Sequence, residues 1–244
     1  MTAFAAVLAH TLPPALPPDP LVSDRPDFTE STGTIAAGRV QIEGGLTAAW
    51  GDHARTIAGP ELLVRLGLGD RLELRLAPPG LAHDGDDTGW TDANVGFKLR
   101  LSTDGPRGLA WSMIGQLAIP SGDATFGAES PEPEIKVLWS FDLNDRVSLA
   151  GNVNCAARSD TDGGLFVEPS VSLSLGVAIS DRLGVFAEGF AFYPIGGGEA
   201  AAWYLNAGAT YALTPDLQLD ARIGTGLGGP ADELFAGLGI AVRY

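Results

Sequence analysis

The stretch SDRPDFTES at residues 23–31 gathers three carboxylates (Asp24, Asp27, Glu30), one guanidinium (Arg25), a proline (Pro26) and several hydroxyls. Side chains of this kind can pair with opposite charges, and they stand just ahead of the first stretch that alternates apolar with polar residues. Two other places carry groups capable of catalysis, His53 beside Asp52 and His83 beside Asp84. A catalytic pair needs a base, a nucleophile or activated water, and an orienting group converging in space. Neighbours along a strand point to opposite faces, so these pairs read as solvated loop polars. The run HDGDDTG (83–89) clusters carboxylates that could hold a divalent cation, although it lacks the ligand order of an EF-hand.

The elements that must position these groups are strands. The 244 residues carry 15 Lys+Arg against 30 Asp+Glu, a net charge of −15, which argues against a nucleic-acid partner because such binding rests on cations neutralising phosphates. A single cysteine, Cys155, excludes an intramolecular disulfide and a cysteine-based metal cluster. No cofactor is expected. No apolar run reaches the roughly 18 residues of a spanning helix, so any membrane crossing must use strands. Residues 1–22 combine an apolar start (AFAAVLA, 3–9), a possible signal remnant, with a proline-rich extended spacer (TLPPALPPDP, 11–20).

From residue 39 onward apolar and small or polar residues alternate with period two. Leu165, Val167, Val171, Leu173, Leu175, Val177 and Ile179 form one face of a long strand, with Glu168, Ser170, Ser172 and Ser174 on the other. The same template gives about twelve strands, near 39–51, 57–68, 71–77, 92–102, 108–119, 133–142, 146–157, 164–179, 182–193, 200–213, 216–225 and 234–244. Tight turns such as Gly69-Asp70-Arg71, Asn144-Asp145-Arg146 and Ser180-Asp181-Arg182 all fall at one end. Longer acidic connections, including 78–91, 120–132, 158–163, 194–199 and 226–233, fall at the other. This is the asymmetry of an all-β, single antiparallel transmembrane β-barrel with short periplasmic turns and longer external loops.

A soluble barrel of this size would have to fill a wide interior with its many leucines and valines, which becomes difficult beyond about eight strands. With lipid outside, the polar faces become the lumen. The expected wall residues are Arg65, Arg71, Arg75, Lys98, Arg100, Lys136, Arg222 and Arg243, opposed by Glu43, Glu61, Glu73, Glu134, Asp142, Glu168, Glu188 and Asp220. Ions in a confined lumen must be paired or hydrated, so this balance predicts a network of ion pairs and water. One register of residues 182–193 places Phe186, Phe190 and Phe192 inside with Glu188; the other places Leu183, Val185 and Ala187 there. Trp50, Trp90, Trp111, Trp139, Trp203 and Tyr211 are expected at membrane interfaces.

SDRPDFTES followed by GRVQIEGG (38–45) closely resembles the opening of outer-membrane proteins catalogued as putative transporters of the MetA pathway of phenol degradation. The ending LFAGLGIAVRY is similar to their last strand. The resemblance implies a bacterial outer-membrane location and a passive channel for small solutes, aromatic or hydrophobic ones among them, with no chemical step. It also implies an assembly signal at Tyr244 for the barrel-assembly machinery. The alternative is a structural or surface-interaction barrel whose lumen is sealed by ion pairs. Lipid and lipopolysaccharide are the expected surroundings, with acidic loops sharing divalent cations with the latter. The chain then divides into residues 1–22, a polar segment 23–37 serving as plug or rim latch, and a barrel over 38–244. Asp24, Arg25, Asp27 and Glu30 are expected to meet lumen charges such as Arg222 and Arg243.

Overall fold

A computed structural model describes residues 21–51, 55–102, 105–160, 164–196 and 200–244. His53 and Asp52, the candidate leader and the proline-rich spacer, and the loop acids Asp162 and Glu199 lie outside the described residues. The strands are β1 (Val40–Trp50), β2 (Arg55–Gly59), β3 (Leu63–Gly67), β4 (Leu72–Ala77), β5 (Leu81–Asp84), β6 (Asp87–Trp90), β7 (Ala93–Ser102) and β8 (Ala110–Ile119). They continue as β9 (Glu132–Asn144), β10 (Val147–Ser159), β11 (Leu165–Ala178), β12 (Leu183–Phe192), β13 (Ala202–Thr214), β14 (Leu217–Gly228) and β15 (Leu234–Arg243).

These strands form one antiparallel sheet, and β15 pairs with β1 from Gln41↔Arg243 to Trp50↔Leu234, closing it into a barrel. The barrel has twelve staves because three of them are split: β2 with β3, β4 with β5, and β6 with β7. Two splits fall at Pro60 and at Pro78-Pro79. Proline has no N–H to give to a ladder, so pairing stops there and resumes beyond. Upper halves pair with upper (β2 with β5, β5 with β6) and lower with lower (β3 with β4, β4 with β7). The segment 78–91, expected as a long loop, is therefore largely wall: β5 and β6 form a hairpin. Gly85, at φ 60°, takes the first place of its two-residue turn, where a positive φ suits glycine.

Burial runs opposite to that of a water-soluble barrel. Arg65, Glu73 and Lys98 are fully buried while Leu238 is 68% exposed. Leu173, Leu175, Leu205, Leu219 and Ile240 are exposed with it, an apolar belt that is stable only against hydrocarbon. Trp203 near the long-loop rim, and Trp111 and Tyr211 near the short-turn rim, are exposed towards the ends of their strands, where amphipathic rings meet the headgroup level. Inside, β10 and β11 present an uncharged stripe of Asn152, Asn154, Ser170, Ser172 and Ser174, all buried.

Candidate functional site

Residues 21–37 belong to no strand, and they occupy the lumen. The segment starts at the short-turn rim, where the Leu21 N–H donates to the Pro215 carbonyl at 2.9 Å and Gln218 donates to Ser23 Oγ at 2.7 Å. It returns to that rim at Gly38, whose N–H donates to the Gly67 carbonyl at 2.9 Å. Between these anchors the chain rises into the barrel, and its two adjacent ions go to different sockets.

Asp24 enters a cluster on β1, β3, β4 and β7. Lys98 Nζ donates to both of its carboxylate oxygens at 2.8 Å, Arg75 Nη1 donates to Oδ2, and Arg65 Nη1 stands at 3.4 Å. Arg65 also forks onto Glu73 (2.9 and 3.0 Å) and reaches Glu43 at 2.9 Å. Strand alternation puts these side chains inward, and pairing sets them side by side: Arg65 opposes Arg75, and Glu73 opposes Lys98. Two arginines abreast would repel. The wall alone carries three cations against two carboxylates, and Asp24 supplies the missing negative charge.

Arg25 turns the other way. Its Nη1 donates to Glu61 at 2.9 Å, and its Nη2 lies 3.5 Å from Asp220 and 3.3 Å from the Leu238 carbonyl. The guanidinium fits a notch between Gly45 and Gly239, which face each other across the β1–β15 seam. A Cβ on Gly45 would come within 2.2 Å of Arg25 Nη2, and one on Gly239 within 2.4 Å of Nε. Close approach is the reason for both glycines. Here the wall contributes Glu61 and Asp220 against Arg222, one negative charge in excess. Arg222 itself donates to the Pro26 carbonyl at 3.0 Å and to Thr47 Oγ1 at 3.1 Å.

Higher up, Glu30 lies 3.3 Å from both Arg75 and Lys136. Glu188 of β12 receives the backbone N–H groups of Phe28 (2.8 Å) and Thr29 (2.6 Å), the Thr29 hydroxyl, and Asn206 Nδ2 at 3.0 Å. The register of β12 is thereby settled: Glu188 is 1% exposed, and Phe190 and Phe192 share its face. Phe28 stacks on Phe190 (centroids 4.7 Å, interplanar 13°), and Phe190 stacks on Tyr204 (4.7 Å, 8°). Phe192 meets Phe28 edge-on at 5.2 Å, and Phe235 lies 6.1 Å from Tyr204. These rings sit towards the long-loop end of β12, β13 and β15. Below the segment, at the short-turn end, is a cavity of about 720 Å³ lined by Asp27, Asp142, Arg146, Phe186 and Gln218 among others.

The remaining expected wall residues are placed unevenly. Glu134 pairs with Lys136 at 3.9 Å, and Glu168 with Arg158 at 3.1 Å. Arg100 lies on the face of Lys98, one step nearer the short-turn rim. Arg71 is corrected: it is exposed in the turn before β4, so it does not line the wall. Among the described residues Arg243 pairs with Asp216 rather than with Asp24, Asp27 or Glu30. It shares Asp216 with Arg39 at the rim, at 2.8 and 3.0 Å, while Asp24 pairs with Arg65, Arg75 and Lys98, Glu30 with Arg75 and Lys136, and Asp27 accepts from the Ser174 hydroxyl. Tyr244 follows β15, exchanges backbone hydrogen bonds with Val40 and leaves its ring exposed. His83 Nδ1 lies 2.8 Å from the Thr88 hydroxyl across the β5–β6 hairpin. Among the described residues no cluster of three or more His, Cys, Asp or Glu could hold a metal ion.

Sequence reasoning missed Phe28, Thr29, Tyr204, Asn206, Phe235 and Arg158, and it placed Glu132 in a loop although it begins β9 and lies 3.2 Å from Arg158. Tyr204 and Phe235 carried a usable signal: each is a large ring on the polar or small face of its alternation.

Several solved structures share this fold. An outer membrane channel from Pseudomonas putida F1 superposes with a TM-score of 0.63 at 14% identity, covering 90% of this chain and 99% of that one. The KdgM porin superposes with a TM-score of 0.57 at 8% identity, covering 83% and 98%. No curated protein matches the sequence. The family described as "Putative MetA-pathway of phenol degradation" matches residues 23–244, from the first residue of SDRPDFTES to the last residue of the chain, and the protein belongs to that family.

Proposed function

We propose that the barrel is a passive outer-membrane channel for small solutes, aromatic ones among them, and that residues 21–37 form a plug across its lumen. One observation carries this reading: an aromatic wall towards the outer end and a cavity of about 720 Å³ at the inner end are separated by a single short segment. The segment is held by hydrogen bonds and ion pairs rather than by strand pairing, so it can leave without opening the barrel. Stacked rings lining a passage suit flat apolar solutes, and the exposed charges of Asp142 and Arg146 at the inner cavity suit release into water. Passive diffusion through such a passage involves no chemical step, in keeping with the channels this fold superposes on. The exposed Tyr244, ending an alternating strand, serves as the assembly signal, and the acidic loops face the lipopolysaccharide layer.

The buried ion cluster of Asp24, Arg65, Glu73, Arg75 and Lys98 favours a second reading, a structural barrel sealed by charge. Planar-bilayer recordings separate the two. Steady steps from the full chain, enlarged by deletion of residues 21–37, support the channel; a deletion variant that assembles yet stays silent establishes the sealed barrel.

A further inference from the structure

Phe28 is the one aromatic ring of the plug, and its surroundings differ from those of the plug's ions. Asp24 and Arg25 are locked by complementary charges, whereas Phe28 is held by ring contacts with Phe190 and Phe192 and by its N–H to Glu188. Phe28, Phe190, Phe192 and Tyr204 are each only partly buried, while Phe28 and Tyr204 cover the two faces of Phe190, so a flat solute joins this stack by taking the place of a ring. Phe28 continues the parallel stack begun by Tyr204 and Phe190, with both centroid spacings at 4.7 Å. The preceding residue, Asp27, lines the inner cavity. Phe28 therefore stands on the boundary between the aromatic wall and that cavity.

We propose that Phe28 occupies the solute's own stacking position, and that an uncharged single-ring aromatic opens the passage by replacing it against Phe190. The inference rests on the channel reading above and adds to it a gate and the ligand class that works it. A displaced Phe28 takes with it the backbone N–H groups that Glu188 binds, and Asn206 and solvent then satisfy that carboxylate. The plug need not leave: its Asp24 and Arg25 sockets lie nearer the short-turn rim and hold while the tip swings. An aliphatic ring of equal size lacks the π face and competes poorly, because the stack gains from ring quadrupoles beyond the area it buries.

The test is single-channel recording of the full-length protein in planar bilayers, with phenol as the probe and cyclohexanol as the control of equal size carrying the same hydroxyl. Phenol should raise the open fraction of the wild type, and cyclohexanol should not at the same concentration. Phe28→Leu keeps bulk without a π face and should open at roughly three- to tenfold lower phenol, the amount one aromatic pair is worth. Phe28→Ala should be open without phenol. Unchanged conductance and an unchanged phenol response in an assembled Phe28→Ala barrel overturn the gate, and an equal response to cyclohexanol overturns the aromatic selectivity. Block of wild-type current by phenol overturns the gate while leaving the channel reading intact. Silence of every variant, including the deletion of 21–37, overturns the channel reading itself.

Discussion

The carboxylate of Asp24 and the ammonium of Lys98 meet through both oxygens at 2.8 Å, with Lys98 fully buried in the barrel wall. Removing the acid leaves Lys98, Arg65 and Arg75 with Glu43 and Glu73 of the wall, and with Glu30 beside only Arg75 of the three, so Lys98 loses its closest carboxylate. Breaking one partner out of a buried ion cluster costs about 3–5 kcal/mol. Asp24→Asn should therefore release the plug, seen as larger and noisier conductance and as new cleavage of residues 21–37 by protease added from the short-turn side. A variant as quiet and as resistant as the wild type would remove Asp24 from plug retention.

The Gly45–Gly239 notch gives a steric route to the same end. Gly239→Ala places a methyl against Arg25 Nε and both Asp220 carboxylate oxygens, so the guanidinium and its partner must shift apart. The barrel should assemble with its normal heat-modifiable mobility, while conductance rises less than in Asp24→Asn because the first socket stays occupied. Unaltered conductance would show that Arg25 contributes nothing to closure.

Acid and base should act on the plug in opposite senses through its own carboxylates. Burial pushes Asp24 up, but Arg65, Lys98 and Arg75 outweigh it and hold the group well below the usual carboxylate range. Burial, helped by the charge of Glu188, pushes Asp27 well above that range. A lowered acid stabilises the docked plug above its free value and loses that contribution only as pH falls through the docked value, so Asp24 keeps acting in mild acid. A raised acid opposes docking as pH climbs from the free carboxylate range, about 3.9, to the docked value. Leak should therefore increase with pH over that window, and Asp27→Asn should flatten the profile. A pH-independent leak in the wild type would count against it.

At the rim, Asp216 bridges Arg39 and Arg243 across the β1–β15 closure, with its side chain 37% exposed. Exposed pairs contribute about 0–1 kcal/mol, so Asp216→Ala should lower the unfolding temperature by only a few degrees and leave conductance unchanged. A collapse of assembly would assign the seam a larger role than its exposure allows.

Facing can be tested directly at mid-strand. Leu173 points outward at 53% exposure, beside the inward Ser172 and Ser174. Leu173→Arg should cost about 2–4 kcal/mol if the residue lies near the bilayer midplane. Assembly efficiency and heat-modifiable mobility report the loss, and an unaffected barrel would place this belt in water.

The alternation of residues such as Leu173, Ser174 and Leu175 is a local property, carried by neighbours along one strand, so the sequence by itself determined the twelve staves, though not the splits that make fifteen strands of them, together with the two faces and the closed all-β class. It also marked SDRPDFTES as unsuited to lipid. Which charges meet was beyond it, because closure brings together residues as distant as Arg25 and Asp220, 195 positions apart. Arg243 was expected near the N-terminal acids and is held instead by Asp216 at the rim, whereas Arg65, Arg75 and Lys98, recognised only as wall residues, form the socket of Asp24. The hairpin of β5 and β6, the split staves at Pro60 and Pro78-Pro79, and the ring stack of Phe28, Phe190 and Tyr204 were likewise decided by tertiary structure. The reason is physical: period two tells a side chain which face to take, but only the register between strands and the path of the plug through the lumen decide its neighbours.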